Sequence, residues 1–376
     1  MKKEMMFAVF FLLFLIGCTQ PNAQTADATE VVNRSAYETQ EGVQPVEQKQ
    51  RNRIPTPTFQ NQPINQDQRN CISNPAPQFT TSFIDITKIQ QLTPIGGIMV
   101  GSQSRSYIFT KQKQRVPIYA PANSTVTGIV YAYRGDPAQG ARAEYRVDLE
   151  VSCEVHYWFD HLTDISDRLK EYAPTKAAYN THNNNIKPIP IKEGELIGYT
   201  QGGDFVVFNS AKIVPHINPK RWTSEHNLYA DCPYDYFIPE LKKQYYNLFA
   251  SASGYIPQEK TCRNASRDVE GTLSGAWFQG DATDIEGPHL YIANDFTMVD
   301  LVKQAQSGQN DYGFRLRDMT PAKYPHEIHI GDSICYSDQQ NYAYFKVIDK
   351  THIQVIIASG NCPSTIPHNG WETWER

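Results

Sequence analysis

Cys18 is the side chain whose surroundings point most directly to a chemical modification. It ends the tetrapeptide Leu15–Cys18, of sequence LIGC, which closes an apolar run that begins shortly after Lys2 and Lys3. An apolar stretch of about a dozen residues suits a secretory signal, whereas a transmembrane helix needs roughly 20. The pattern is typical of a bacterial lipobox, and it predicts cleavage before Cys18 and lipidation of the thiol. The alternative is an ordinary signal peptide that happens to contain a cysteine.

The remaining cysteines are expected to form disulfide bonds. An even set of cysteines in an exported chain favours disulfides, although sequence alone does not choose among the connectivities. The best single guess pairs Cys335 with Cys362, because both lie at the ends of predicted strands. No C-x-x-C motif occurs, which argues against a thioredoxin-like site or a zinc ribbon. The set consists of Cys71, Cys153, Cys232, Cys262, Cys335 and Cys362.

Composition and missing motifs narrow the class of protein. The formal net charge of −5 offers no basic patch for nucleic acid. The chain has 22 tyrosines, which is typical of a secreted β-rich protein. It contains no G-x-S-x-G, P-loop or dinucleotide fingerprint, and we predict no cofactor. Residues 18–76, after the signal peptide 1–17, are rich in Gln, Asn, Pro and Thr, and we expect them to form a disordered tether.

The next segment, residues 77–235, has the pattern of antiparallel β-structure. Apolar and polar residues alternate strictly from Tyr145 to Phe159, which predicts one long, half-buried strand. Its expected partner is Ile118–Tyr133, joined to it through a turn near Gly135.

Two further segments complete the predicted organisation. Residues 236–260 are expected to form a helical connector, because Pro239–Ala250 begins with proline and places its apolar residues on one face. Residues 261–376 are again β-like, and the spacing of their short strands favours a small sandwich or barrel. The predicted fold class is therefore mainly β. The strands expected in this last segment are Gly271–Phe278, Glu327–Tyr336, Tyr342–Ile348 and His352–Ala358.

Residues 95–210 resemble the lysostaphin-like, LytM-type zinc endopeptidases, which cut peptidoglycan cross-links. The resemblance rests on three short motifs in the same order and not on overall identity. It implies a twisted antiparallel sheet of the duplicated-hybrid-motif kind. The motifs are Pro117–Val126, similar to P-V-x-A-x-x-x-G-x-V, Phe159–Leu162, similar to Y-x-H-L, and Lys192–Gly198, similar to V-x-x-G-Q-x-I-G.

The zinc ligands of that family are missing from this chain. The family holds zinc with H-x-x-x-D before the first motif and with the last histidine of an H-x-H near the end. By spacing, these ligands should fall at Ser106–Thr110 and near Phe205–Val207, where the sequence reads SYIFT and FVV. Only His161 matches a functional residue of the family, a transition-state or general-base histidine. We therefore predict that the metal site has been lost and that no residue is catalytic.

The former substrate groove remains a candidate for binding. His161 shares the parity of the apolar face and is expected to point into this groove, and the alternative is a hydrogen-bonded structural histidine. Trp158 lies on the polar face of its strand, where it either stacks on a sugar or, as we favour, packs under a loop. The candidate groove residues are His161, Ser106, Thr110, Tyr107, Trp158 and Phe205.

The leading hypothesis is a lipid-anchored envelope protein with an inactive peptidase-like domain that binds the cell wall, a glycan or a partner protein. An active zinc-dependent peptidoglycan hydrolase with displaced ligands is the alternative. A third hypothesis places binding in residues 261–376. The expected contacts are the membrane, through lipid on Cys18, and no nucleic acid. Thr19 and Gln20 follow with no aspartate, which implies the outer membrane in a Gram-negative cell.

Overall fold

A computed structural model describes most of the chain after residue 70. The signal peptide, Cys18 and tether residues 18–70 lie outside the described residues. Within the described part, no helix has the length and apolar character needed to cross a bilayer. The described ranges are 71–96, 104–135, 137–178, 185–250, 260–262, 265–284, 286–295, 298–304, 312–316 and 323–376.

The first sheet has nine strands, all joined by antiparallel pairing. Its order is β1-β2-β8-β6-β5-β4-β7, and both β3 and β9 also pair with β8. The long strand β8 therefore organises the sheet. The strands are β1 (Ile89–Leu92), β2 (Ser106–Thr110), β3 (Val116–Tyr119), β4 (Ser124–Tyr133), β5 (Ala143–Glu150), β6 (Val155–Ile165), β7 (Asn185–Ile191), β8 (Leu196–Asn209) and β9 (Ala230–Asp231).

The alternating segment from Tyr145 to Phe159 forms two strands, so the prediction of one long strand is wrong. A hairpin divides the segment into β5 and β6, with Glu150 opposite His156. Ser152 closes the turn through its Oγ, which accepts from the amide of Val155 at 3.1 Å. The predicted pairing of the preceding segment is confirmed for residues 124–133, which form β4 antiparallel to β5, whereas Ile118 lies in β3 and pairs with β8.

Strand β8 is buried on both faces near its C-terminal end. Phe205 and Val207 enter the main core of the first sheet. Val206 and Phe208 belong to a smaller apolar cluster on the opposite face. Phe205 stacks on Phe159 of β6 with ring centroids 4.7 Å apart. This strand therefore has an almost continuous apolar run, as expected of a strand covered on both sides.

The Phe205→Ala variant tests this core. Phe205 is fully buried among aromatic rings, so truncation should leave a cavity and lower the free energy of unfolding by about 3–5 kcal/mol. Urea denaturation followed by fluorescence measures the change. Tyr172→Ala, at a side chain that is 44% exposed, is the control and should change stability by less than about 0.5 kcal/mol. Equal stability of the two variants would contradict the placement of Phe205 in the core.

The second sheet has eight antiparallel strands in the order β13-β12-β11-β10-β17-β16-β15-β14. Its core contains the fully buried Trp277 and Trp374. The expected strands Tyr342–Ile348 and His352–Ala358 correspond to β15 and β16, which pair as a hairpin around Asp349. The strands are β10 (Gly275–Phe278), β11 (His289–Asp295), β12 (Met298–Gln304), β13 (Tyr312–Leu316), β14 (Ser333–Ser337), β15 (Asn341–Val347), β16 (His352–Ser359) and β17 (Glu372–Glu375).

The chain is therefore mainly β with antiparallel sheets, one of them curled into a half-barrel, and this confirms the predicted fold class. The described part of the chain contains three short α-helices, α1 (Asp167–Lys170), α2 (Glu225–Leu228) and α3 (Pro239–Asn247). Helix α3 is the predicted helix, and it ends three residues before Ala250. Its Tyr245 enters the core of the first sheet, so α3 packs with that sheet and is more than a connector.

Three disulfide bonds join Cys71 to Cys153, Cys232 to Cys262, and Cys335 to Cys362. The predicted Cys335–Cys362 bond is confirmed. The first bond changes the picture of the tether, because residues 71–76, which the sequence assigned to it, lie against the first sheet. In this stretch the amide of Asn74 donates to Glu154 at 2.8 Å, and the carbonyl of Pro75 accepts from Asn209 at the same distance.

Candidate functional site

His161 lies at a bulge in β6, and this bulge sets the geometry of the site. The pairing with β8 shifts register between Asp160 and Leu162, and His161 adopts the left-handed conformation with φ of 59°. Leu162 is buried in the core, while His161 joins Asp160 on the opposite face. The expectation that His161 shares the apolar face is therefore wrong, because an extra residue reverses the alternation.

A glycine in β8 permits the close approach that this bulge requires. Asp160 is directly opposite Asp204, and Gly203 precedes Asp204. A Cβ atom on Gly203 would lie 2.5 Å from the carbonyl oxygen of Asp160, which is closer than real Cβ atoms come to backbone. Thr200 also ties the strands together, since its Oγ1 donates to the carbonyl of His161 at 3.0 Å.

The acidic side chains each meet a basic partner. Asp204 Oδ2 accepts from Arg105 Nη1 at 3.1 Å. Asp160 Oδ1 accepts from the guanidinium of Arg134 and from the amide of His161, the latter at 2.8 Å. The imidazole Nδ1 of His161 lies 2.7 Å from Glu144 Oε2. We use the term charged cluster for the six residues Arg105, Arg134, Glu144, Asp160, His161 and Asp204.

Burial changes the acid–base properties of this cluster. It raises the pKa of Asp204, with Asp160 acting in the same direction and Arg105 opposing both. Burial alone would lower the pKa of His161, but the hydrogen bond to Glu144, together with Asp204 and Asp160, raises it above its usual value. Both shifts favour the protonated form, which is the neutral carboxyl of Asp204 and the imidazolium of His161.

Three of the predicted groove residues do not line an open groove. Ser106 is fully buried, and its hydroxyl lies 2.6 Å from that of Tyr234 in the core. Phe205 belongs to the aromatic core, and Thr110 is buried with its hydroxyl donating to the carbonyl of Gln201 at 2.8 Å. The expectation that these residues face a ligand is corrected, because their parity directs them into the core.

Tyr107 and Trp158 lie on the face that carries the charged cluster. Tyr107 is half-buried and opposite Asp204 in the β2·β8 pairing. Trp158 is only 7% exposed, so its side chain is packed inside the protein, as we favoured, and its ring is not available to stack on a sugar. The edge of His226 covers its ring at a centroid distance of 5.1 Å, and the guanidinium of Arg146 lies 4.6 Å from the ring centroid.

A polar pocket of about 320 Å³ opens beside the charged cluster. Its wall includes Glu144, which binds His161, so pocket and cluster are continuous. Arg115 is held in the wall by an ion pair to Asp164 at 3.3 Å and lies 3.5 Å above the ring of Tyr199. The lining residues are Arg115, Arg142, Ala143, Glu144, Thr163, Asp164 and Gln201.

Sequence reasoning missed Asp160, Asp204 and their arginine partners. Asp160 is adjacent to the histidine that was singled out, and Asp204 stands inside an apolar run, GGDFVVF. A carboxylate in a fully buried strand requires a partner, and that is the signal that could have identified it. The sequence around the two arginines gives no such signal, because the arginines come close to the aspartates only when the strands pair in the folded sheet.

Comparison with protein-family models, with curated proteins and with solved structures found no match for this chain. The site is therefore interpreted from its own geometry.

His226 predicts a pH-dependent contribution to stability. Burial, with Arg105 acting in the same direction, lowers its pKa to about 3 from the usual 6.5. Between these values the unfolded chain binds a proton that the folded chain does not, so the free energy of unfolding falls as the pH falls. His226→Gln should remove about 1–2 kcal/mol of the loss between pH 7.5 and 4.5.

Urea denaturation of both proteins at the two pH values checks this prediction. The comparison between the proteins cancels the contribution of the carboxyl groups, which also titrate in this range. An identical loss of stability in the native protein and in His226→Gln would show that His226 is protonated in the folded state.

Proposed function

We propose that this protein is a lipid-anchored envelope protein whose first sheet binds the cell wall and does not cut it. The observation that carries the second part is the placement of Ser106, Thr110 and Val207, which stand where the LytM-type pattern requires zinc ligands. All three side chains are buried, and none is an imidazole, a carboxylate or a thiolate that would bind zinc. A LytM-type metal site therefore has no ligands at these positions.

The polar pocket supports a binding role. It combines two arginines with two carboxylates, a threonine hydroxyl and an amide, a mixture that can pair with both the acidic and the basic groups of a peptide and with sugar hydroxyls. Arg115 is already oriented by Asp164 and Tyr199, which reduces the entropy lost on binding. The resemblance to wall-cutting enzymes makes peptidoglycan the ligand that we propose.

Co-sedimentation with purified peptidoglycan sacculi tests this function. The native protein should sediment with the sacculi, and the supernatant should gain no soluble wall fragments. Arg142→Ala should weaken binding about tenfold, because an exposed arginine of the pocket wall is lost. Lys220→Ala, at an exposed cation outside this pocket, is the matched control and should bind as the native protein does. Equal binding by both variants would contradict the pocket as the binding site.

The anchor is tested separately by Cys18→Ser. If lipid on this thiol holds the protein, the variant should move from the membrane fraction to the soluble fraction, because no acyl chain is attached. Metabolic labelling with a radioactive fatty acid should mark only the native protein. Membrane association of Cys18→Ser at the native level would contradict the lipidated anchor.

A metal-dependent wall hydrolase is the second candidate, and one observation favours it. Asp160, His161 and Asp204 offer ligand atoms that all lie within 4.8 Å of one another. None of the three is a position at which the LytM-type pattern places a zinc ligand. The sacculus experiment separates the two functions, because release of soluble fragments that stops with a chelator and with His161→Ala would establish hydrolysis.

A further inference from the structure

We propose that Asp160, His161 and Asp204 form a binding site for a divalent first-row metal ion. One ligand atom from each residue lies within 4.8 Å of the other two. Ligands at about 2.0–2.2 Å from one ion are about 3.3–3.8 Å apart in a tetrahedral or trigonal arrangement, so the three side chains need to close by no more than about 1.5 Å. The site lies on the face of the first sheet that also carries the polar pocket.

Asp204 supplies an independent sign of a missing partner. Its side chain is fully buried, and Oδ2 is held by Arg105 at 3.1 Å. The other oxygen, Oδ1, is buried and has no hydrogen-bond partner among the residues that the structure describes. A buried carboxylate oxygen without a donor is destabilising, and satisfied buried polar atoms are the rule in folded proteins. A metal ion among the three side chains would supply the partner that Oδ1 lacks.

The neighbours of the three side chains are arranged as supporting groups of a metal site. Glu144 binds His161 at Nδ1, which makes Nε2 the nitrogen that is available to a metal. Arg134 and the amide of His161 bind Oδ1 of Asp160, which leaves Oδ2 as its ligand oxygen. A histidine whose second nitrogen is held by a carboxylate, and carboxylates that are themselves hydrogen-bonded, are typical of metal ligands.

The charge and the donor set indicate the class of ion. Three carboxylates, those of Glu144, Asp160 and Asp204, face two guanidiniums, so the cluster has a formal charge of −1 when His161 is neutral. One imidazole nitrogen and two carboxylate oxygens suit Zn²⁺ or Mn²⁺, whereas Ca²⁺ requires six to eight oxygen ligands. Three protein ligands leave a coordination position open toward solvent or a bound ligand.

Titration with metal ions tests the proposal directly. The complete chain, purified in detergent and stripped with a chelator, should bind about one equivalent of Zn²⁺ or Mn²⁺ in isothermal titration calorimetry. Asp204→Asn and His161→Asn should each lower the affinity at least tenfold, and Glu144→Gln should lower it about 10- to 100-fold. Asparagine is chosen at position 161 because it tolerates the left-handed backbone found there.

Asp148→Asn is the matched control. Asp148 lies on the same face, is mostly buried and pairs with an arginine, Arg146, at 3.2 Å, yet it is not one of the three ligands. It should bind metal as the native protein does. The proposal is overturned if the native protein binds no metal or if the ligand variants retain the native affinity for metal. It is also overturned if Asp148→Asn lowers the affinity as much as the ligand variants do.

Folding of every variant is checked by circular dichroism. If Asp204→Asn fails to fold because Arg105 loses its partner, His161→Asn and Glu144→Gln decide the question, since both positions are partly exposed. The measured quantity is metal affinity and not wall binding or cleavage. If the protein binds metal but does not sediment with sacculi, only the proposed function is overturned. If it sediments with sacculi but binds no metal, only this inference is overturned.

Discussion

The pairing of Asp160 with Asp204 across β6 and β8 is the constraint on which the candidate site depends. Two carboxylates directly opposite each other in a buried part of a sheet repel, and burial strengthens the repulsion because little water screens it. The sheet compensates with Arg105 on one carboxylate and Arg134 on the other. Each arginine must therefore lie near the same point of the face, and this fixes where β2 and the end of β4 can run.

Beneath this charged face, the opposite side of the same strands carries the aromatic core. Phe159 and Phe205 alternate with the two aspartates along β6 and β8, so one pairing register serves both sides. A slip by one residue would bury the carboxylates among rings and expose the phenylalanines. The core thus holds the charged side chains in place, and the bulge at His161 adds an imidazole to that face while Leu162 remains in the core.

Much of the fold could be predicted from the sequence, because period-two alternation and turn residues are local signals. The β4·β5 pairing, α3 and the Cys335–Cys362 bond follow from them. The hairpin between β5 and β6 was missed, since the alternation continues through residues 151–154 without glycine or proline. That turn is held by contacts from distant sequence, the Cys71–Cys153 bond among them.

The candidate site was harder to predict for the same physical reason. No local residue marks the bulge at His161, because it depends on the absence of a side chain at Gly203 in another strand. A simple parity count therefore assigned His161 to the wrong face. The motif positions Ser106 and Phe205 have side chains that point into the core, whereas Asp204, the immediate neighbour of Phe205, faces the other way and belongs to no motif.

Stability alone gives a weak reason for the charged cluster. A buried ion pair seldom stabilises a fold more than apolar residues of similar size, because desolvation offsets the Coulomb attraction. The surrounding strands have such residues available, as Val206 and Phe208 show on the same face of β8. A pair of arginine-bound aspartates lies beside a polar pocket, and one of their carboxylate oxygens has no partner among the described residues. This arrangement is better explained by a ligand that binds there. Wall binding and metal binding are compatible on this face, since an open coordination position could accept a carboxylate of the bound peptide.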